Sequence, residues 1–170
     1  EGDVDIIVAW SEGGSVAMNL LSRIDDYLNL ESDHPDYLGN LKNIKGVVLI
    51  NAATAEAMYR GISNPELIPE MNNFNDSEIL NATLSGEGSY GPLITDYPDQ
   101  FTIENVAILS IIANQDGVVL NPALRHITEL FDDNTILSYD GDHFEFNNNG
   151  LSSDMNDQVI DWIYNKALGE

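Results

Sequence analysis

Three residue types, in one order along this chain, could together do acyl-transfer chemistry: Ser11, then Asp116, then His143. A serine hydroxyl is a weak nucleophile until a neighbouring base takes its proton. An imidazole can take that proton near neutral pH and hand it on to a leaving group. A carboxylate behind the imidazole fixes its tautomer and stabilises its cation. Each residue also fits a plainer role. Ser11 could cap a helix, Asp116 could belong to an Asp-Gly turn, and His143 could be structural. His34, in a polar loop, and His126, in a helical stretch, read as structural or surface residues. Asp142 is a rival acid beside His143, but adjacent side chains point apart, so Asp116 is preferred.

Chemistry at three distant positions requires elements that bring them together. Residues 5–10, 46–51, 106–112 and 135–139 read as short strands with apolar runs such as Ile6-Ile7-Val8-Ala9 and Val47-Val48-Leu49-Ile50. Ungapped apolar runs of this length suit strands buried on both faces. Val16, Ala17, Leu20, Leu21 and Ile24 recur at helical spacing after the first strand. A helix beginning near Pro122 carries Leu124, Ile127 and Leu130 on one face. The last helix spans residues 153–168, with Asp154 in its first turn and Val159, Ile160, Trp162 and Ile163 for the core. Residues 25–45 read as a polar loop broken by Pro35 and Gly39. Strands alternating with helices predict an α/β fold, a parallel sheet with helices on both faces. Each candidate residue then follows the C-terminal end of a strand, along one sheet edge.

Residues 52–104 break the alternation. They hold Pro65, Pro69, Pro92 and Pro98, four of the six prolines. The stretch is long for a crossover helix, so it reads as an insertion or lid within one partial domain of residues 1–170. Short helical pieces are predicted at 55–60 and 77–84. Met58, Tyr59, Leu67, Met71, Phe74 and Tyr90 either line a substrate pocket there or bury one another. Gly86-Glu87-Gly88-Ser89-Tyr90-Gly91 matches a dinucleotide fingerprint by letter but lacks the preceding strand, and is discounted.

Ala9-Trp10-Ser11-Glu12-Gly13-Gly14 closes the first strand and opens the first helix. It resembles the nucleophile elbow, G-x-S-x-G, of the α/β-hydrolase superfamily of serine esterases and lipases. Ala9 stands where that family has its first glycine. Small residues suit a strained turn: Ala9 and Gly13 flank the serine, and Gly14 lets the helix pack closely. Ala113-Asn114-Gln115-Asp116-Gly117 looks like the family's acid loop, and Gly141-Asp142-His143-Phe144 like its histidine loop. The order Ser, Asp, His is also the family's. Asn51 ends the second strand, where some relatives keep the acid, and cannot serve as a carboxylate.

The resemblance covers nearly the whole chain, as the C-terminal catalytic half of such a hydrolase without its usual N-terminal strands. It implies hydrolysis of a small-molecule carboxylic ester through an acyl-serine, with no metal and no organic cofactor. Ser11 attacks, His143 shuttles the proton, Asp116 orients the imidazole, and the Glu12 N–H supplies one oxyanion donor. In the family a second donor comes from a loop before the elbow. The expectation is therefore a fragment, a chain completed by another, or a minimal relative. Self-association or a missing N-terminal segment is expected to cover the first strand's edge. The alternative function is a catalytically inactive hydrolase-fold module that binds a partner or ligand.

Composition narrows the field further. With 29 acidic and 6 basic residues the formal net charge is −23, which argues against nucleic acid as a partner. No apolar run approaches the ~20 residues of a membrane-spanning helix. There is no cysteine, so disulfides and thiolate metal sites are excluded. The compartment is left open, with the cytoplasm favoured. Scattered acids with few lysines read as a solvated surface, or more sharply as adaptation to salty water. On the sharper reading, screening relieves self-repulsion and the melting temperature rises with added salt. A flat melting temperature across a salt series would count against it.

Overall fold

The computed structural model describes residues 3–54, 106–119, 121–129 and 131–169. From residue 55 on, the insertion predicted at 52–104 lies outside the described residues. So do its helical pieces, its six apolar residues and the glycine-rich segment.

Four strands form one parallel sheet in sequential order: β1 (Ile6–Trp10), β2 (Gly46–Ile50), β3 (Ala107–Ala113) and β4 (Asn134–Tyr139). Helix α1 (Glu12–Ser22) follows β1, α3 (Asn121–Thr128) lies between β3 and β4, and α5 (Ser153–Trp162) closes the chain. Successive strand residues face opposite ways, so each apolar run feeds two cores. Val47, Leu49, Ile108 and Ile112 meet Ala17, Met18 and Leu21 of α1 and Leu124 of α3. Val48, Ile50, Leu109 and Ile111 meet Met155 and Trp162 of α5. Full burial of each large aliphatic side chain contributes about 1.5–3 kcal/mol. The parallel sheet flanked by helices expected from the sequence is therefore present.

The register aligns the strands' C-terminal ends. Trp10 pairs with Ile50, Ile50 with Ile111, and Ala113 with Tyr139. Ser11, Asn51, Asp116 and His143 all emerge at this edge.

Several expectations need correction. The stretch 25–45 is not all loop: α2 (Ile24–Leu28) and a 3-10 turn (Gly39–Leu41) lie in or at its border. Ile24 is buried and Leu28 packs against the same core, an i, i+4 pair that pins one helical turn despite its acidic neighbours. A short helix α4 (Glu145–Asn149) follows the histidine loop. The first strand is not buried on both faces. Among the described residues β1 pairs only with β2, and Val8 is 60% exposed. The last helix turns π-helical over Ile163–Leu168. Its start is capped by Ser152, whose hydroxyl accepts from the Met155 N–H at 3.3 Å. No helix among the described residues is long and apolar enough to cross a membrane.

Candidate active site

Ser11 is the hinge between β1 and α1, and its backbone is forced into φ 49°, ψ −122°. A non-glycine residue at such a positive φ is strained, and surrounding bonds must hold it there. They do so from β2 and the segment after it: the Ser11 N–H donates to the Ile50 carbonyl at 3.0 Å, and the Ser11 carbonyl accepts from the Ala53 N–H at 2.8 Å. The buried Ser15 hydroxyl donates to the Ala53 carbonyl and ties α1 to the same segment. The Ser11 side chain caps no N–H of its own helix. The plain N-cap role is therefore not the one it plays.

The elbow's small residues have separate tasks. A Cβ on Gly13 would sit 3.9 Å from the Ala9 Cβ, an ordinary contact. The extra methyl of Ala9 therefore fits without crowding, and would do so even beside a Cβ at position 13. A Cβ on Gly14 would run into the Ala52 Cβ and come within 3.0 Å of the Ala52 Cα. Gly14→Ala is expected to push α1 off the segment that follows β2 and destabilise the fold by about 1–3 kcal/mol. Gly13→Ala should be neutral or stabilising by up to about 1 kcal/mol, because alanine is the better helix former and meets no clash there. Paired urea melts check the contrast, and equal midpoints for the two variants would contradict it.

Asp116 lies in the turn after β3. Its Oδ1 accepts from the N–H groups of Val118 and Val119, both at 2.8 Å, so the Asp-Gly turn fixes the carboxylate. Its Oδ2 meets His143 Nδ1 at 2.8 Å, and both side chains are shielded from solvent. On the other side of the ring, His143 Nε2 is 2.8 Å from Ser11 Oγ. An ionised carboxylate only accepts hydrogen bonds, so the ring proton belongs on Nδ1 and the Nε2 lone pair faces the serine hydroxyl. His143 as a whole is 2% exposed. Trp10 and Phe144 flank its ring, with centroids at 5.9 and 5.1 Å.

The acid and histidine loops are joined along their roots. The Asn114 N–H donates to the Tyr139 carbonyl at 2.8 Å and the Gln115 N–H to the Gly141 carbonyl at 3.0 Å. Asp142, the rival acid, spends its Oδ1 on the Phe144 N–H at 2.8 Å and lies exposed. His34 is likewise exposed, with Nδ1 accepting from the Asp36 N–H. Glu12 opens α1 directly behind Ser11, where helix-start N–H groups and the dipole favour negative charge.

Asn51 cannot serve as the acid, yet its carboxamide joins three strand ends. Oδ1 accepts from the Ala113 N–H at 2.8 Å, and Nδ2 donates to the Tyr139 hydroxyl at 2.6 Å. Burial raises the Tyr139 pKa above the usual phenol value of 10.0. The Asn51 bond opposes this shift, while the carboxylates of Asp116, Glu145 and Asp142 add to it. The neutral phenol is thus favoured by folding. Its contribution to stability is complete below about pH 10 and is lost as pH rises through the raised value. Tyr139→Phe should flatten this alkaline part of the stability–pH curve. An unchanged slope above pH 10 in the variant would refute the assignment.

No protein-family model matches the sequence, and no curated protein does. Solved structures do. A thermophilic esterase aligns with TM-score 0.54 at 16% identity, over 94% of this chain and 65% of its own. A pyrethroid hydrolase from Sphingobium faniae JZ-2 aligns with TM-score 0.54 at 15% identity, over 98% and 73%. An alpha/beta hydrolase enzyme from the metagenome of lagoon sediments at Mar Chica, Morocco, aligns with TM-score 0.53 at 13% identity, over 95% and 61%. The chain thus spans roughly two thirds of the length of these structures.

Proposed function

The chain has an α/β-hydrolase fold, and from that premise we propose that it is a serine hydrolase acting on a carboxylic ester or related acyl substrate. The observation that carries the reading is the continuous relay from Ser11 Oγ through the His143 ring to Asp116, with both links at 2.8 Å. A helix N-cap needs no imidazole partner, and a structural histidine needs no strained serine.

The reaction runs in two halves. Ser11 Oγ attacks the acyl carbonyl as His143 Nε2 takes its proton. The carbonyl oxygen becomes an oxyanion, to which the Glu12 N–H at the start of α1 donates in this reading. The carbon–oxygen bond to the alcohol breaks, the alcohol leaves with the proton from Nε2, and an acyl-Ser11 ester remains. Water then attacks this ester with Nε2 again as base. The acid departs, and the Ser11 hydroxyl is restored. Asp116 stays ionised and stabilises the imidazolium.

The test is hydrolysis of p-nitrophenyl esters, short acyl chains against long, by the wild-type chain and by Ser11→Ala. Ser11-dependent release of p-nitrophenol supports the reading. A folded wild type no faster than Ser11→Ala would favour the inactive binding module instead.

A further inference from the structure

Asn51 is 1% exposed and sits at φ 44°, a left-handed conformation that asparagine adopts more readily than most residues. Burial of a carboxamide costs free energy unless its donors and acceptor find partners. Here they do. Besides its bonds to Ala113 and Tyr139, Nδ2 reaches the His143 carbonyl at 3.4 Å. The Tyr139 hydroxyl in turn reaches the Asp142 carbonyl at 3.5 Å. The amide's orientation is not arbitrary. A backbone N–H can only donate and a backbone carbonyl can only accept, so Ala113 demands the oxygen and His143 the nitrogen.

These bonds converge on the pieces of the relay. Ala113 roots the acid turn, since the Asp116 N–H donates to its carbonyl at 3.2 Å. The carbonyls of residues 142 and 143 flank the backbone that carries the imidazole. Ile50, the residue before Asn51, accepts from the Ser11 N–H. The nucleophile, acid and base loops therefore share one anchor at the end of β2.

We infer that Asn51 is a positioning residue: its carboxamide sets the His143 ring in register with Asp116 and Ser11. This rests on the hydrolase reading of the site. A carboxylate at this position could still accept from Ala113 but would face the His143 carbonyl with like partial charge. Asn51→Asp keeps the shape and tolerance of positive φ while losing both N–H donors. Asn51→Gly removes the side chain without backbone strain.

Both variants are expected to lower kcat by about 10²-fold, the effect of an ångström-scale misplacement. KM should stay within about threefold, because no substrate contact is removed. A sharp low-field proton resonance from His143 Nδ1 is expected in the wild type and should broaden or vanish in each folded variant. Should Asn51→Gly fail to fold, Asn51→Asp carries the test. Folded variants that keep both kcat and the wild-type resonance, and lose only thermal stability, would overturn the inference. The resonance is read without any substrate. A wild type that hydrolyses no ester would sink the hydrolase reading, while the resonance comparison would still decide the role of Asn51.

Discussion

Asp116→Asn is expected to lower kcat by about 10⁴-fold while leaving the fold nearly unchanged. The reason lies in how the carboxylate is held. Two backbone N–H groups, from Val118 and Val119, donate to Oδ1. In the variant the same two donors require the amide oxygen at that position. The amide nitrogen is then turned toward His143 Nδ1, where it can only donate. That forces the ring proton onto Nε2, facing Ser11, and the lone pair needed to accept the serine proton is gone. Geometry survives and protonation fails. Asp116→Ala should be comparably slow but less stable, because the Val118 and Val119 N–H groups then lose their acceptor. Steady-state kinetics with urea melts on both variants check the pair. An Asp116→Asn enzyme within tenfold of wild type would show that the carboxylate does not set the tautomer.

Ser11→Ala is expected to cost on the order of 10⁵–10⁶-fold in kcat, since no covalent intermediate can form. The remaining rate above water reports binding and oxyanion stabilisation alone. The same position yields a stability prediction of opposite sign. Ser11 is held at φ 49°, strain of about 1–3 kcal/mol that an alanine would also bear. Glycine occupies positive φ without a Cβ clash. Ser11→Gly should therefore melt above Ser11→Ala, by roughly 1 kcal/mol, while being equally inactive. A Ser11→Gly variant melting below Ser11→Ala would remove the case for strain at the elbow.

What the sequence disclosed follows from the physics of each element. Strands buried between two helical layers must be apolar at consecutive positions, so Val47-Val48-Leu49-Ile50 and Ile108-Leu109 announce themselves. The turn after β1 announces itself because close packing at Gly14 excludes a side chain. The relay was legible as three strand ends, because a parallel sheet gathers its C-terminal edges whatever lies between. The rest depended on long-range geometry. The core contacts of helix α2 come from Ile24 and Leu28, on either side of an Asp25-Asp26 pair that reads as loop. Exposure of Val8 is a matter of which strand lies at the edge, which no local pattern encodes. Asn51 looked inert because it cannot be an acid. Its importance comes from partners at Ala113, Tyr139 and His143, far along the chain.

The proposed chemistry depends on activation of the Ser11 hydroxyl by His143. The most direct measurement is intact-mass and peptide mapping after incubation with a fluorophosphonate, with wild type, Ser11→Ala and His143→Ala compared. One covalent adduct is expected on Ser11 in the wild type, none in Ser11→Ala, and labelling slowed by orders of magnitude in folded His143→Ala. A folded wild type that takes up no label, or that labels Ser11 equally fast with and without the imidazole, would contradict it.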